Sequence, residues 1–320
     1  IIYFFVIMRS SICRIHSIHR AAFSFFRGFS SQQSTQLEPL TQLHSEFLGL
    51  VKNHGKGNIR MNIHEKYAEI ILSNPERRNA MCGEMMVNFA AIVDKLTLDE
   101  SIGDSVVGII VRSTGKEAFC AGADYSLIHQ ILNSSERGGM MSSFMTDALR
   151  RLRNSRYISV CCINGPALGG GAEFSTSCDF RIFESSSYIS FMHARIGIVP
   201  AWGGTKRLTS IVGRNKALLL CGTTKKVFAD EAMSLGLADA IWSRSDDDTS
   251  EGAVEGLKEG EKFLKPFLDL PFPKSIHGIK EIVAATETQT LEELDETDRR
   301  VFKSRWFSAD NQNALNNSVV

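Results

Sequence analysis

Asn164-Gly165-Pro166-Ala167-Leu168-Gly169-Gly170-Gly171-Ala172-Glu173 follows directly on ISVCCI, residues 158–163, a continuous apolar run of buried-strand length. Three consecutive glycines are conformationally expensive, so they mark a place where only backbone fits, against a ligand or against another helix. The stretch lacks the Lys-Ser/Thr ending of a phosphate-binding P-loop and the spacing of a dinucleotide fingerprint. A short helix is predicted after the glycines. Glu173 falls in its first turn, either as a catalytic acid or as a favourable charge at a helix start.

Upstream, VVGIIV at residues 106–111 is a second buried-strand run, and Phe119-Cys120-Ala121-Gly122-Ala123-Asp124 follows it. Small residues there let a ligand approach the backbone, before a helix predicted to begin near Tyr125. Asp124 on its own reads as that helix's N-cap. A later helix carries Phe144, Met145, Ala148, Leu149 and Leu152. Further upstream, residues 68–72 (AEIIL) predict a strand, Asn74-Pro75 a turn, and Met85, Phe89, Ile92, Val93 and Leu96 one face of a helix. Downstream, residues 191–205 (FMHARIGIVPAWGGT) contain a lone His193, with the basic pair Lys206 and Arg207 just beyond. Short strands are expected near residues 180–183 and 188–191, helices beyond 205, and a last strand at 238–242. Strands alternating with helices at this spacing argue for an α/β fold of βαβ-type units with buried sheets.

The ends differ from this core. Before Glu38 there is no acidic residue, while Arg9, Arg14, Arg20 and Arg27 are spread through Ser-rich and aromatic sequence. That composition suits a mitochondrial presequence over residues 1–30, with Met8 as a conventional start and residues 27–30 as a processing region; a disordered basic tail is the plainer alternative. Residues 31–58 read as a linker with one short helix near 43–51, residues 59–248 as the core, and residues 249–320 as a C-terminal helical region. Asp246-Asp247-Asp248 reads as a solvated connection rather than a metal site.

Lys plus Arg and Asp plus Glu both number 36 in the 320 residues, so no net charge steers the molecule towards nucleic acid or an anionic membrane. No uncharged apolar run approaches the roughly 18 to 20 residues that span a bilayer. Seven cysteines without a Cys-x-x-Cys pair indicate neither a disulfide framework nor a zinc ribbon, and a reducing compartment fits them. No flavin, nicotinamide or metal signature is present.

FCAGAD, NGPALGGGAE, CDFRI and GIVPAWGGTKRL, in this order and spacing, resemble the crotonase or enoyl-CoA hydratase/isomerase superfamily over residues 59–300. The resemblance implies a crotonase-type spiral of ββα units, with a C-terminal helical region that completes the subunit and its neighbour's site. It also implies a homotrimer or hexamer and an acyl-CoA substrate, coenzyme A being part of that substrate rather than a separate cofactor. By position, the backbone N–H groups of Ala123 and Gly170 would form an oxyanion hole around the thioester carbonyl, each donor contributing about 3 kcal/mol. Ala80, Ala121 and Asp124 would lie along the coenzyme A path, and Gly169 and Trp202 would meet the substrate.

Hydratases of this superfamily use two glutamates to activate water. Here Glu173 stands at the first position and His193 at the second. That combination with FMHARIGIVPAWGGT resembles more narrowly the ethylmalonyl-CoA decarboxylase branch, whose members also act on methylmalonyl-CoA. Loss of carbon dioxide from a 2-carboxyacyl thioester leaves an electron pair to be stored as an enolate, and an acid must then protonate C2. One of Glu173 and His193 would supply that proton, with either a protonated Glu173 or a hydrogen bond from His193 sparing the substrate carboxylate from repulsion. Trp202 and Phe191 would wall the ethyl branch, with core packing an equal alternative for Phe191. Choosing ethyl over methyl rests on one methylene, about 1 to 3 kcal/mol. Two other readings stand beside this one: an enoyl-CoA hydratase/isomerase using Glu173 with another partner, and a catalytically inactive crotonase-fold binding subunit. The N-terminus suggests the mitochondrial matrix, the family branch the cytosol.

Overall fold

Residues 40–99, 101–244 and 253–317 are described by the computed structural model of the chain. The expected presequence, the first part of the expected linker and Asp246 to Asp248 lie outside the described residues. Two compact units divide between Gln42 and Leu43; of the first, residues 40–42 are described, as the opening of a helix.

That helix is α1 (Leu40–Val51). The chain continues as a hairpin of β1 (Asn58–Ile63) and β2 (Tyr67–Ser73), then α2 (Gly83–Leu98), β3 (Gly108–Ser113), α3 (Tyr125–Gln130) and α4 (Ser135–Arg153). β4 (Ile158–Ile163), β5 (Ala167–Leu168), α5 (Gly170–Ser175), β6 (Phe180–Glu184) and β7 (Tyr188–Ser190) follow. Then come α6 (Gly204–Val212), α7 (Arg214–Thr223), β8 (Val227–Phe228), α8 (Ala229–Leu235) and β9 (Ala240–Trp242). The C-terminal region is α9 (Ala253–Leu268), α10 (Pro273–Ala285), α11 (Leu291–Arg305) and α12 (Ala309–Asn317). No described helix is long and apolar enough to cross a membrane.

The larger sheet runs β1-β2-β3-β4-β6-β9; β1 is antiparallel to β2, and every later pairing is parallel. A smaller sheet, β5-β7-β8, stands apart from it. The large sheet is covered on both faces, which is why its central strands read as unbroken apolar runs. In β4, Cys161 and Ile163 enter the main core while Val160 and Cys162 enter a second cluster, where Leu264 of α9 also packs. β3 divides the same way, with Ile109 and Val111 on one side and Ile110 on the other. This is the period of two that an extended chain imposes.

Two expectations need correction, while the two separate helices after Asp124 are as expected. Within the segment read as linker, the helix expected near 43–51 packs into the fold: Phe47 and Val51 of α1 are fully buried in the main core. Each such burial is worth roughly 1.5–3 kcal/mol, which holds α1 down despite its polar neighbours. β3 begins later than residue 106. Val106 and Val107 are buried, but their N–H groups turn to Gly103 and Lys66 in a lead-in before the ladder. The helix that begins at Tyr125 stops after Gln130, and a new helix starts behind Ser134, whose hydroxyl accepts from the Arg137 N–H as N-cap.

The C-terminal helices are fastened by polar groups as well as apolar ones. Lys280 of α10 is buried against Asp179, and the His277 Nε2 lies 2.9 Å from the Val106 carbonyl. Arg153, at the end of α4, donates to both oxygens of Glu287 just beyond α10.

Candidate active site

The glycine-rich turn carries the chain from β4 through β5 into α5, and one helical turn later Glu173 is fully buried. Its carboxylate is the most heavily hydrogen-bonded side chain of the site. Oε1 accepts from the Ala201 N–H at 3.1 Å and lies 2.9 Å from His193 Nε2. Oε2 accepts from the Trp202 N–H at 2.8 Å and the Gly204 N–H at 2.7 Å. The close approach at Gly204 needs the missing side chain, since a Cβ there would lie 2.3 Å from Glu173 Cγ. His193 itself is buried in the short turn Met192–Ile196.

The segment that grips Glu173 is itself held. Ser142 and Thr146 of α4 donate hydroxyls to the Ala201 carbonyl, and Arg207 of α6 donates to the Trp202 and Glu173 carbonyls. Burial pushes the Arg207 guanidinium down to about 10, with Glu173 nearby opposing the shift.

The FCAGAD loop lies against the glycine-rich turn at one point. Gly122 has φ +94, and a Cβ there would stand 3.0 Å from the Leu168 carbonyl and 3.1 Å from the Gly170 nitrogen. Only glycine combines that backbone conformation with that approach. The neighbouring amides are committed: the Ala121 N–H donates to Arg78, and the Asp124 N–H to Met81. Among the described residues, the Ala123 and Gly170 N–H groups find no acceptor. Both residues line one cavity of about 500 Å³.

Of the residues singled out from sequence, Ala80, Ala121, Ala123, Asp124, Gly169, Gly170, Glu173, His193 and Trp202 line that cavity. Phe191 does not; it is buried in the main core, so its plainer reading is the one observed. Asp124 caps α3, accepting from the Ser126 N–H, while it also faces the cavity. Burial alone would raise its pKa, but hydrogen bonds from Ser126 and Leu127 and the charge of Arg77 hold it below the usual range. Trp202 is buried, with its indole over Gly170: a Cβ at Gly170 would meet the ring at 2.6 Å. Gly170 is therefore small because of Trp202, a neighbour that the glycine run did not name. Ile128, Met141, Leu168, Ile196 and Ile198 complete an apolar wall, and Arg77 and Arg78 supply positive charge to the lining.

Sequence reasoning missed Gly122 as the contact between the two loops, and it missed Ser142 and Thr146; Arg207 stood out as one of a basic pair, without its role. Gly122 was visible as the central glycine of FCAGAD. Nothing local marks Ser142 and Thr146.

The enoyl-CoA hydratase/isomerase family matches residues 62–317. Ethylmalonyl-CoA decarboxylase of Mus musculus is 35% identical over 246 residues, covering 77% of this chain and 72% of that protein. The Xenopus tropicalis protein of that name is 36% identical over 253 residues, 78% of each chain. A crystal structure of an enoyl-CoA hydratase from Bacillus anthracis superposes with a TM-score of 0.70 at 22% identity, over 81% of this chain and 95% of that one.

Proposed function

This chain belongs to the enoyl-CoA hydratase/isomerase family and has the crotonase fold, and from that premise we propose that it decarboxylates a short-branched 2-carboxyacyl-CoA. Ethylmalonyl-CoA is the first candidate, as the names of its relatives suggest, and methylmalonyl-CoA the second. The observation that carries the reading is the pair of unspent N–H groups at Ala123 and Gly170 on the wall of a cavity whose lining is largely apolar beside Glu173 and His193.

With the thioester oxygen between those donors, the bond from C2 to the carboxylate carbon breaks. Carbon dioxide leaves and the electron pair moves onto the oxygen as an enolate. Preorganised donors stabilise that developing charge more than they stabilise the neutral carbonyl, by about 3 kcal/mol each. No base is needed for the cleavage. An ionised carboxylate against Trp202, Met141 and Ile128 is poorly solvated, whereas carbon dioxide is neutral, so the apolar wall favours the step. C2 then takes a proton.

The hydrogen bonds around Glu173 support His193 as the donor of that proton. Each Glu173 oxygen already has two partners, which suits an orienting role for the carboxylate and leaves it without a free site for activating water. The same saturation disfavours the hydratase reading.

The test uses the purified chain with ethylmalonyl-CoA, methylmalonyl-CoA and crotonyl-CoA in parallel. Carbon dioxide release from the first two with crotonyl-CoA left unhydrated is the expected result. Hydration without release would establish the hydratase reading, and binding without turnover the inactive one.

A further inference from the structure

Ser142 and Thr146 stand four residues apart on one face of α4, and both hydroxyls donate to the Ala201 carbonyl, at 2.6 and 3.2 Å. A helical Ser or Thr has an easier partner in the carbonyl four residues earlier in its own helix. Thr97, Thr209, Thr223 and Ser234 all take it in this molecule. Ser142 and Thr146 are turned outward instead, onto a single carbonyl in another segment.

That carbonyl and the Trp202 N–H belong to one peptide unit. The hydroxyls hold its oxygen end, and Glu173 Oε2 takes its N–H end at 2.8 Å. Arg207 holds the next peptide unit through the Trp202 carbonyl at 2.9 Å. The indole over Gly170 and the donors on Glu173 thus share one support, and polarisation of the carbonyl strengthens the N–H as a donor.

We propose that Ser142 and Thr146 are positioning residues that keep the Ala201–Trp202 peptide on Glu173, and so keep Glu173 from serving water. The inference rests on the decarboxylase reading above for its first readout only. With the peptide released, Oε2 loses a partner and can accept from a water molecule. That water would then add to a 2-enoyl thioester: its oxygen bonds C3, its proton goes to Glu173, and the electron pair of the C2–C3 double bond is held as an enolate, its oxygen at Ala123 and Gly170, until Glu173 returns the proton to C2. The released indole also no longer orders the reacting acyl group over Gly170.

The experiment compares the purified wild-type chain with Ser142→Ala, Thr146→Val, their combination and the hydroxyl-conserving Thr146→Ser, each checked for folding by circular dichroism. The double variant is expected to lose about 10- to 100-fold in kcat for ethylmalonyl-CoA, with KM changed much less, because geometry rather than binding is disturbed. It is also expected to gain hydration of crotonyl-CoA over wild type, while Thr146→Ser behaves as wild type in both assays. A folded double variant with wild-type kcat and no gain in hydration overturns the proposal; if the double does not fold, the two single variants are read by the same criteria. Should the wild type release no carbon dioxide, the decarboxylase reading fails, and the crotonyl-CoA assay alone decides this one: a gain supports it and no gain overturns it.

Discussion

Glu173 and Gly170 show why substitutions that look conservative in sequence are not equivalent in this site. Glu173→Gln keeps the shape but places an NH2 group opposite N–H donors, at either the Ala201 and His193 side or the Trp202 and Gly204 side. Each donor left unsatisfied in a buried setting costs about 1–3 kcal/mol. Glu173→Gln is therefore expected to lose activity and stability together. His193→Ala should lose about 100- to 10,000-fold in turnover, the range for a general acid, and also some stability, because it removes a partner of the buried Glu173 Oε1. Denaturant titration beside kcat measurement checks both; a Glu173→Gln variant as stable as wild type would contradict the hydrogen-bond account. Gly170→Ala is not a mild probe either. Its methyl group would drive into the indole of Trp202, an overpacking worth about 1–3 kcal/mol. This contact was not legible in GGG, because the pressing ring comes from a segment thirty-odd residues later, whereas the need for bare backbone was legible from the glycines alone.

Among the elements, the buried parallel strands were read most closely, since β4 carries an apolar side chain to each face and has no polar residue to blur its ends except Ser159. β5 and β8, two residues each, are too short for any periodicity to register. The docking of α1 was missed because its apolar residues, Leu43, Phe47, Leu48, Leu50 and Val51, follow a polar, Ser- and Gln-rich stretch, and only distant partners reveal what they bury against. The fastening of α10 is equally non-local: Lys280 and Glu287, in and just beyond that helix, pair with Asp179 and Arg153 on two distant stretches of chain. It has a pH signature. The hydrogen bond from Arg153 holds the Glu287 carboxyl below its ordinary range, with burial opposing. A depressed folded-state pKa contributes stability that is complete above the unfolded value and is lost as pH falls through the folded one. Amide exchange in residues 273–305 should accordingly rise as the pH drops below the usual glutamate range. Glu287→Gln should remove much of that rise while weakening the attachment at neutral pH. Exchange that is as pH-dependent in Glu287→Gln as in wild type would show that other groups govern the release.

For the molecule as a whole, two buried sheet faces and a cover of C-terminal helices bring two loops to one point, where Gly122 stands against Gly170. Family and fold were legible because four short motifs keep their order over the whole core, although each is ordinary alone. What the scaffold adds is the support around Glu173, assembled from α4, α5 and the segment leading into α6. Ile196, Ile198 and Val199 are exposed apolar residues, and the first two line the cavity. The central claim is that Ala123 and Gly170 hold the thioester oxygen through their N–H groups. Isotope-edited infrared spectroscopy of butyryl-CoA labelled with carbon-13 at the thioester carbonyl, the product expected from ethylmalonyl-CoA, reads that contact without any substitution. A carbonyl stretch at clearly lower frequency when bound than when free in water is expected, as two aligned donors polarise the bond; a bound frequency equal to or above the free one would show that these N–H groups do not hold the oxygen.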